Sequence, residues 1–95
     1  MKKAEMLNLK VGSIIENKKG QWIINEISFE VFDKETDKYM YGTDRCESYQ
    51  ETQFDLHESR TKVVRFFVHQ IGKQQEMDTM FREATIRDCF KLVEA

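Results

Sequence analysis

Residues 12–32 read GSIIENKKGQWIINEISFEVF, and this stretch decides the fold of the chain. Its first part predicts a β-hairpin, because a β-branched run is followed by the turn-forming segment NKKG, residues 17–20, and then by a second apolar run. Beyond the turn, large apolar residues occupy both parities, with Ile23, Ile27, Phe29 and Val31 on one and Trp22, Ile24 and Phe32 on the other. A strand that is apolar on both faces lies at the centre of a sheet. We therefore expect strands at 12–17 and 21–32, with the second one central.

Two further strands follow from simple patterns. An all-polar connection at 33–38 leads to YMY, residues 39–41, which predicts a short third strand. Residues 62–71, KVVRFFVHQI, are dense in β-branched and aromatic residues and predict a long strand. Residues 1–9 carry no cap signal, and we expect them to form a loose lead-in whose apolar side chains cover one end of the core.

The segment 44–61 is the least regular part of the chain. Ser48 and Glu51 have the spacing of a helix capping box, but no apolar helical stripe follows them. A loop that ends in a short strand at 54–56 is therefore favoured over a short turn of helix. Irregular connections that carry charged and aromatic residues often hold binding residues.

The apolar period becomes helical after Lys73. One stripe comprises Met77, Met80, Phe81 and Ala84, and a second stripe on the opposite side comprises Ile86, Cys89, Phe90 and Val93. A single straight helix would be apolar nearly all round, so we expect two helical segments that break near residues 84–85. The alternative makes residues 90–93 a closing edge strand. Cys89, on the second stripe, is expected in the core.

The chain is expected to form a single domain, residues 1–95, of the α+β class. It combines a small curved antiparallel sheet or SH3-like barrel of four to five strands with one or two C-terminal helical segments. A hydrophobic content of 40% with no proline is typical of a folded domain. The two cysteines, Cys46 and Cys89, are too few for a disulfide framework, which predicts reduced thiols and a cytoplasmic protein. No apolar run reaches the roughly 18 residues that span a bilayer, so no membrane association is expected.

The charge is distributed unevenly along the chain. Residues 26–58 hold three basic and ten acidic residues, whereas the segments on either side are net basic. The acidic residues are interleaved with aromatic ones. Such a segment is more often a solvated outer face with its loops than a binding face, and an acidic and aromatic binding face is the functional hypothesis. The expected partner-binding residues are Tyr39, Tyr41, Asp44, Glu47, Tyr49, Glu51, Phe54 and Asp55.

No established catalytic or nucleotide-binding signature is present, and the four glycines are isolated. A metal site built from Cys46, His57 and Asp55 or Glu58 matches no known ligand spacing. Cys46 lies among acidic residues, which raise the pKa of a thiol and blunt a nucleophile. We therefore expect no enzyme activity, no cofactor and no metal.

These observations predict a non-enzymatic small protein-binding module, such as an inhibitor or modulator, that docks an acidic and aromatic face on a partner protein. In general style the chain resembles small accessory proteins of bacteria and phages, which is consistent with that role. The alternative is a nucleic-acid-binding barrel that uses Lys62, Arg65 and the neighbouring aromatic residues, although the isoelectric point near 5.7 disfavours phosphate binding. A homodimer that combines two acidic faces is a further open alternative.

Overall fold

The computed structural model describes residues 1–40 and 44–95, and of Asp44 it describes the backbone alone. Within these residues the chain forms seven strands, two short helices and one turn of 3₁₀ helix. The strands are β1 (Ile14–Asn17), β2 (Gly20–Asp33), β3 (Lys38–Tyr39), β4 (Asp44–Cys46), β5 (Arg60–Gln70), β6 (Thr79–Arg82) and β7 (Lys91–Glu94). The helices are α1 (Lys3–Met6) and α2 (Glu83–Cys89), and the 3₁₀ turn is Tyr49–Thr52.

All strand pairs are antiparallel, and the sheet has the order β6-β5-β2-β1-β7. β5 pairs with one edge of β2 from Trp22 to Asp33, while β1, β4 and β3 share the other edge. The predicted central position of the second strand is thereby confirmed. The sheet ends at β6 and β7, so the described residues form a curved open sheet and not a closed barrel. The expected number of four to five strands is too low.

A β-bulge explains why β2 carries apolar residues on both parities. The pairing register with β5 shifts between Ile24 and Glu26, which leaves Asn25 as the extra residue. Because the bulge reverses the parity, Trp22 and Ile24 before it and Val31 after it all point into the core. The outward-facing apolar residues of β2 are only half-buried. We call the core side of the sheet the inner face and the opposite side the outer face.

The helical elements cover the inner face. Met6 of α1, Tyr49 of the 3₁₀ turn and Ile86 of α2 join the buried residues of the sheet in one apolar cluster. Leu9, which follows α1, is completely buried. The prediction that the first nine residues cover one end of the core is confirmed, although their short helix was not expected.

The C-terminal region differs most from the prediction. Residues 79–82 form strand β6 and not a helix, with Phe81 opposite Phe66 and Met80 opposite Phe67 on β5. Exposure alternates along Thr79–Arg82 with a period of two in the structure, and the edge of β5 supplies hydrogen-bond partners that a helix would not use. The helix therefore begins at Glu83, close to the expected break.

The structure also bears on the expectations for the closing strand, for Cys89 and for residues 49–56. The alternative closing strand is confirmed in position by β7, which pairs with β1. Cys89 is exposed at the end of α2, so its expected burial is wrong. Residues 49–52 form a 3₁₀ turn where a loop was favoured, and residues 54–56 are not a strand.

Candidate interaction surfaces

The far end of β2 forms a narrow ribbon. Beyond Phe29, β2 pairs only with β5 and the two residues of β3. The 14 residues of β2 extend about 45 Å at roughly 3.3 Å per residue, which matches the longest dimension of the molecule, 44 Å. We call this end, residues 29–40 and 53–64, the arm.

Two aromatic rings are exposed on the arm and held there by other rings. Tyr39, 56% exposed, contacts Phe32 with ring centroids 5.3 Å apart. Phe54, 41% exposed, contacts Phe29 at 5.4 Å. Phe29 and Phe32 differ in parity and no bulge separates them, so the two exposed rings lie on opposite faces of the ribbon. The arm therefore presents one fixed aromatic side chain on each face.

Lys62 on β5 supports one of these rings. Its ammonium lies 4.5 Å from the centre of the Phe54 ring and donates a hydrogen bond to the backbone carbonyl of Thr52. Burial lowers the pKa of the Lys62 ammonium, although Glu83 opposes this effect. The lysine thus fixes the inner side of the arm rather than standing free in solvent.

Most of the charged side chains on the arm are acidic, and Glu47 at the base of the arm is counted with them. Asp33 faces Arg60 at 4.0 Å, and Glu30 faces Arg65 at 3.4 Å. Within the described part of the chain, five other acidic side chains have no basic group within 4 Å, and three lysines of the arm, Lys34, Lys38 and Lys62, have no carboxylate within 4 Å. The five acidic residues are Glu35, Asp37, Glu47, Asp55 and Glu58. An excess of two negative charges therefore surrounds the two rings, and the positive charge nearest to Phe54 is that of Lys62.

The structure separates the predicted partner-binding residues into groups. Tyr39, Glu47, Phe54 and Asp55 are exposed. Tyr41 and the side chain of Asp44 lie outside the described residues. The remaining two, Tyr49 and Glu51, have structural contacts.

Tyr49 belongs to the core and does not present its ring to a partner. Its ring is 7% exposed and stacks on Phe66, with centroids 5.7 Å apart. The hydroxyl donates a hydrogen bond to the carboxylate of Glu83. Burial, followed by this bond to Glu83, raises the pKa of the Tyr49 hydroxyl far above its usual value.

Glu51 caps the 3₁₀ turn. Its carboxylate accepts hydrogen bonds at 2.8 Å from the backbone N–H groups of Glu47 and Ser48. The bond from the N–H of Ser48 is the one that the capping-box spacing predicts. Replacement of Glu51 would therefore disturb the local fold as well as any binding face.

The proposed basic strand is divided between the two faces of the sheet. Lys62 and Phe66 point inward, while Arg65 and Phe67 point outward, because side chains alternate along β5. Arg65 is paired with Glu30, and nearby Arg45 is paired with Glu26 at 2.8 Å. A single basic groove is therefore not formed by Lys62, Arg65, Phe66 and Phe67.

Sequence reasoning missed a cleft at the opposite end of β2. It lies between α2 and the β1–β2 turn, and its walls include Trp22, Phe81 and Phe90. Phe81 and Phe90 were expected on opposite stripes of helical segments, and this hid their contact. The one signal in the sequence is Trp22 directly beyond a turn that carries two lysines.

The described residues hold no cluster of metal-ligand side chains, and one cysteine thiol has a shifted pKa. No group of three His, Cys, Asp or Glu side chains in residues 1–40 and 44–95 is arranged to hold a metal ion. Burial raises the pKa of the Cys46 thiol, with further contributions from Glu51 and Glu47, so the expected direction is confirmed. No helix in the described segments has the length and apolar character to cross a membrane.

The comparisons with known proteins are negative. The chain matches no protein-family model, no curated protein and no solved structure.

Proposed function

We propose that the chain is a non-enzymatic protein-binding module whose arm docks on a basic partner protein. The observation that carries the proposal is the pair of exposed rings, Tyr39 and Phe54, each fixed against a sheet phenylalanine within an acidic surround. A partner that covers both rings has to contact both faces of the ribbon, as a groove would. An SH3-like relationship of the curved sheet remains a prediction, and the proposal does not depend on it.

The exposed ring area is large enough to contribute substantially to affinity. An aromatic side chain offers about 150–250 Å² for burial. At the observed exposures, docking would bury about 110 Å² of Tyr39 and about 80 Å² of Phe54, worth about 2–3 kcal/mol each at ~25 cal/mol per Å². Because both rings are already held in place, little side-chain entropy is lost on binding. They have the properties of interface hot spots.

The charge of the arm favours a basic protein over nucleic acid. The unpaired acidic residues would repel phosphate groups and attract lysine and arginine side chains on a partner. Nucleic-acid binding through Lys62 and Arg65 is the alternative. It predicts a steep loss of affinity with salt and sensitivity to nuclease.

The proposal is tested by pull-down from a nuclease-treated lysate of the organism that encodes the chain. The bait variants are Tyr39→Ala, Phe54→Ala, and the triple charge reversal of Glu35, Glu47 and Asp55 to lysine. Glu51 is left unchanged because it caps the 3₁₀ turn. We expect one stoichiometric protein with the unmodified bait, and its recovery should fall at least about tenfold with each arm variant.

Met77→Ala is the matched control, because Met77 is 83% exposed and lies outside the arm. Near-ultraviolet circular dichroism of each bait shows whether the domain is intact. A partner that is retained by all three arm variants refutes docking through the arm. Recovery of nucleic acid without nuclease, lost as the salt concentration rises, supports the alternative instead.

A further inference from the structure

The cleft at the near end of β2 has an aromatic interior. The Trp22 ring packs edge-on against Phe81 at 5.7 Å and Phe90 at 6.3 Å, and these two phenylalanines lie 5.3 Å apart. The cleft has a volume of about 490 Å³, within the range of small-molecule sites. The hydroxyl-bearing residues Thr79 and Thr85 also line it.

A single side chain fixes both the aromatic wall and the turn beside it. The side-chain amide oxygen Oδ1 of Asn17 accepts hydrogen bonds from the Trp22 indole N–H and from the backbone N–H of Lys19, both at 3.0 Å. Gln70 on β5 donates a further bond to the carbonyl of Lys19 at 2.8 Å. The turn that carries Lys18 and Lys19 is thus held at the rim of the cleft.

The two lysines are the uncompensated charges of this rim. Both are exposed, and neither ammonium lies within 4 Å of a carboxylate in the described parts of the chain. The acidic residues of the neighbouring surface already have partners: Glu16 pairs with Lys91 and Asp88 pairs with Arg87, each at 2.9 Å. An acidic group at the mouth of the cleft would therefore meet net positive charge.

We propose that this cleft binds a small aromatic molecule that bears one acidic group, with its ring against Phe81 and its acid beside Lys18 and Lys19. The half-buried Phe81, held by the buried rings of Trp22 and Phe90, supplies apolar and edge-to-face contacts for the ring. The ammonium groups select an anion over a neutral molecule of the same shape. The cleft and the arm lie at opposite ends of β2, so this inference stands or falls independently of the proposed partner.

A matched pair of dyes tests the proposal directly. Anilinonaphthalenesulfonate has an aromatic body and one sulfonate, and phenylnaphthylamine has the same body without the charge. Trp22 is the single tryptophan of the chain, so quenching of its emission shows that the dye lies near Trp22, and the lysine variants below show whether it lies in the cleft. We expect one sulfonate dye per chain with quenching of Trp22, and affinity about two- to thirtyfold above that of the neutral dye.

Two charge-matched variants locate the anion site. Lys18→Glu combined with Lys19→Glu should weaken binding of the sulfonate dye at least about tenfold and leave the neutral dye unchanged. Lys34→Glu combined with Lys38→Glu changes the net charge equally at exposed positions on the arm, at the opposite end of β2 from the cleft, and should have little effect. All four lysines are exposed, so both variants are expected to fold, and near-ultraviolet circular dichroism verifies it.

Three results would each overturn the proposal. These are equal affinity for the two dyes, equal loss of sulfonate binding in the two double variants, and dye binding without quenching of Trp22. The last result would place the dye elsewhere on the molecule.

Discussion

Deletion of Asn25 tests the role assigned to the β-bulge. Without the extra residue, regular alternation would turn either Trp22 and Ile24 or the inner residues beyond the bulge toward solvent. Loss of burial for two large apolar side chains costs about 3–6 kcal/mol. A chain of 95 residues has about 5–14 kcal/mol of total stability. We therefore expect the deletion variant to lose about 3–6 kcal/mol of its free energy of unfolding, from about a fifth of the total to all of it.

Asn25→Ala is the matched control, because it keeps the number of residues in β2. It removes exposed hydrogen bonds from the Asn25 amide to Asp78, at 3.2 and 3.3 Å. Its expected cost is below about 1 kcal/mol. Urea unfolding followed by far-ultraviolet circular dichroism measures both variants. Equal midpoints for the deletion and for Asn25→Ala would refute the argument that the bulge sets which side chains face the core.

Two further predictions concern ionisable side chains, the Tyr49 hydroxyl and the two cysteine thiols. Because the folded pKa of the Tyr49 hydroxyl is raised above its unfolded value near 10, its contribution to stability is complete below about pH 10 and is lost as pH rises further. In the Tyr49→Phe variant the free energy of unfolding should therefore fall less steeply with pH above about pH 10. Urea unfolding at a series of pH values measures this, and the same dependence on pH in both proteins would contradict the prediction. Cys89 should react with a disulfide reagent at least about tenfold faster than Cys46 at neutral pH, because Cys89 is exposed and burial raises the pKa of the Cys46 thiol. Single Cys46→Ser and Cys89→Ser variants assign the two rates, and similar rates would contradict the described burial.

The hairpin, the central strand and β5 were predictable because each follows from local residue types. The turn at 17–20 and the β-branched runs beside it need no tertiary information. The bulge at Asn25 could not be identified in this way. A strand with apolar residues on both parities is compatible with a regular strand buried on both faces and with a bulged strand buried on one face. Only the pairing with β5 distinguishes the two arrangements.

Strand β6 shows the limit of a periodicity argument. Its two apolar residues, Met80 and Phe81, are adjacent and extend the spacing of a helical stripe, yet pairing with the edge of β5 makes the segment a strand. The partner-binding residues of the arm were also predicted only in part, because burial of a side chain depends on tertiary contacts. The exposure of Tyr39 and Phe54 and the burial of Tyr49 depend on which ring each residue meets, and all three were equivalent as aromatic residues in an acidic segment.

The pairing of β2 with β5 also has a consequence for synthesis on the ribosome. Trp22 pairs with Gln70 and Asp33 pairs with Arg60, so one whole edge of the central strand stays open until residues 60–70 have been made. Contacts between such distant parts of the chain form slowly, and an open edge beside apolar side chains invites pairing with other chains. A nascent or prematurely terminated chain that lacks β5 would therefore be a candidate for aggregation or chaperone binding, and not a smaller stable domain.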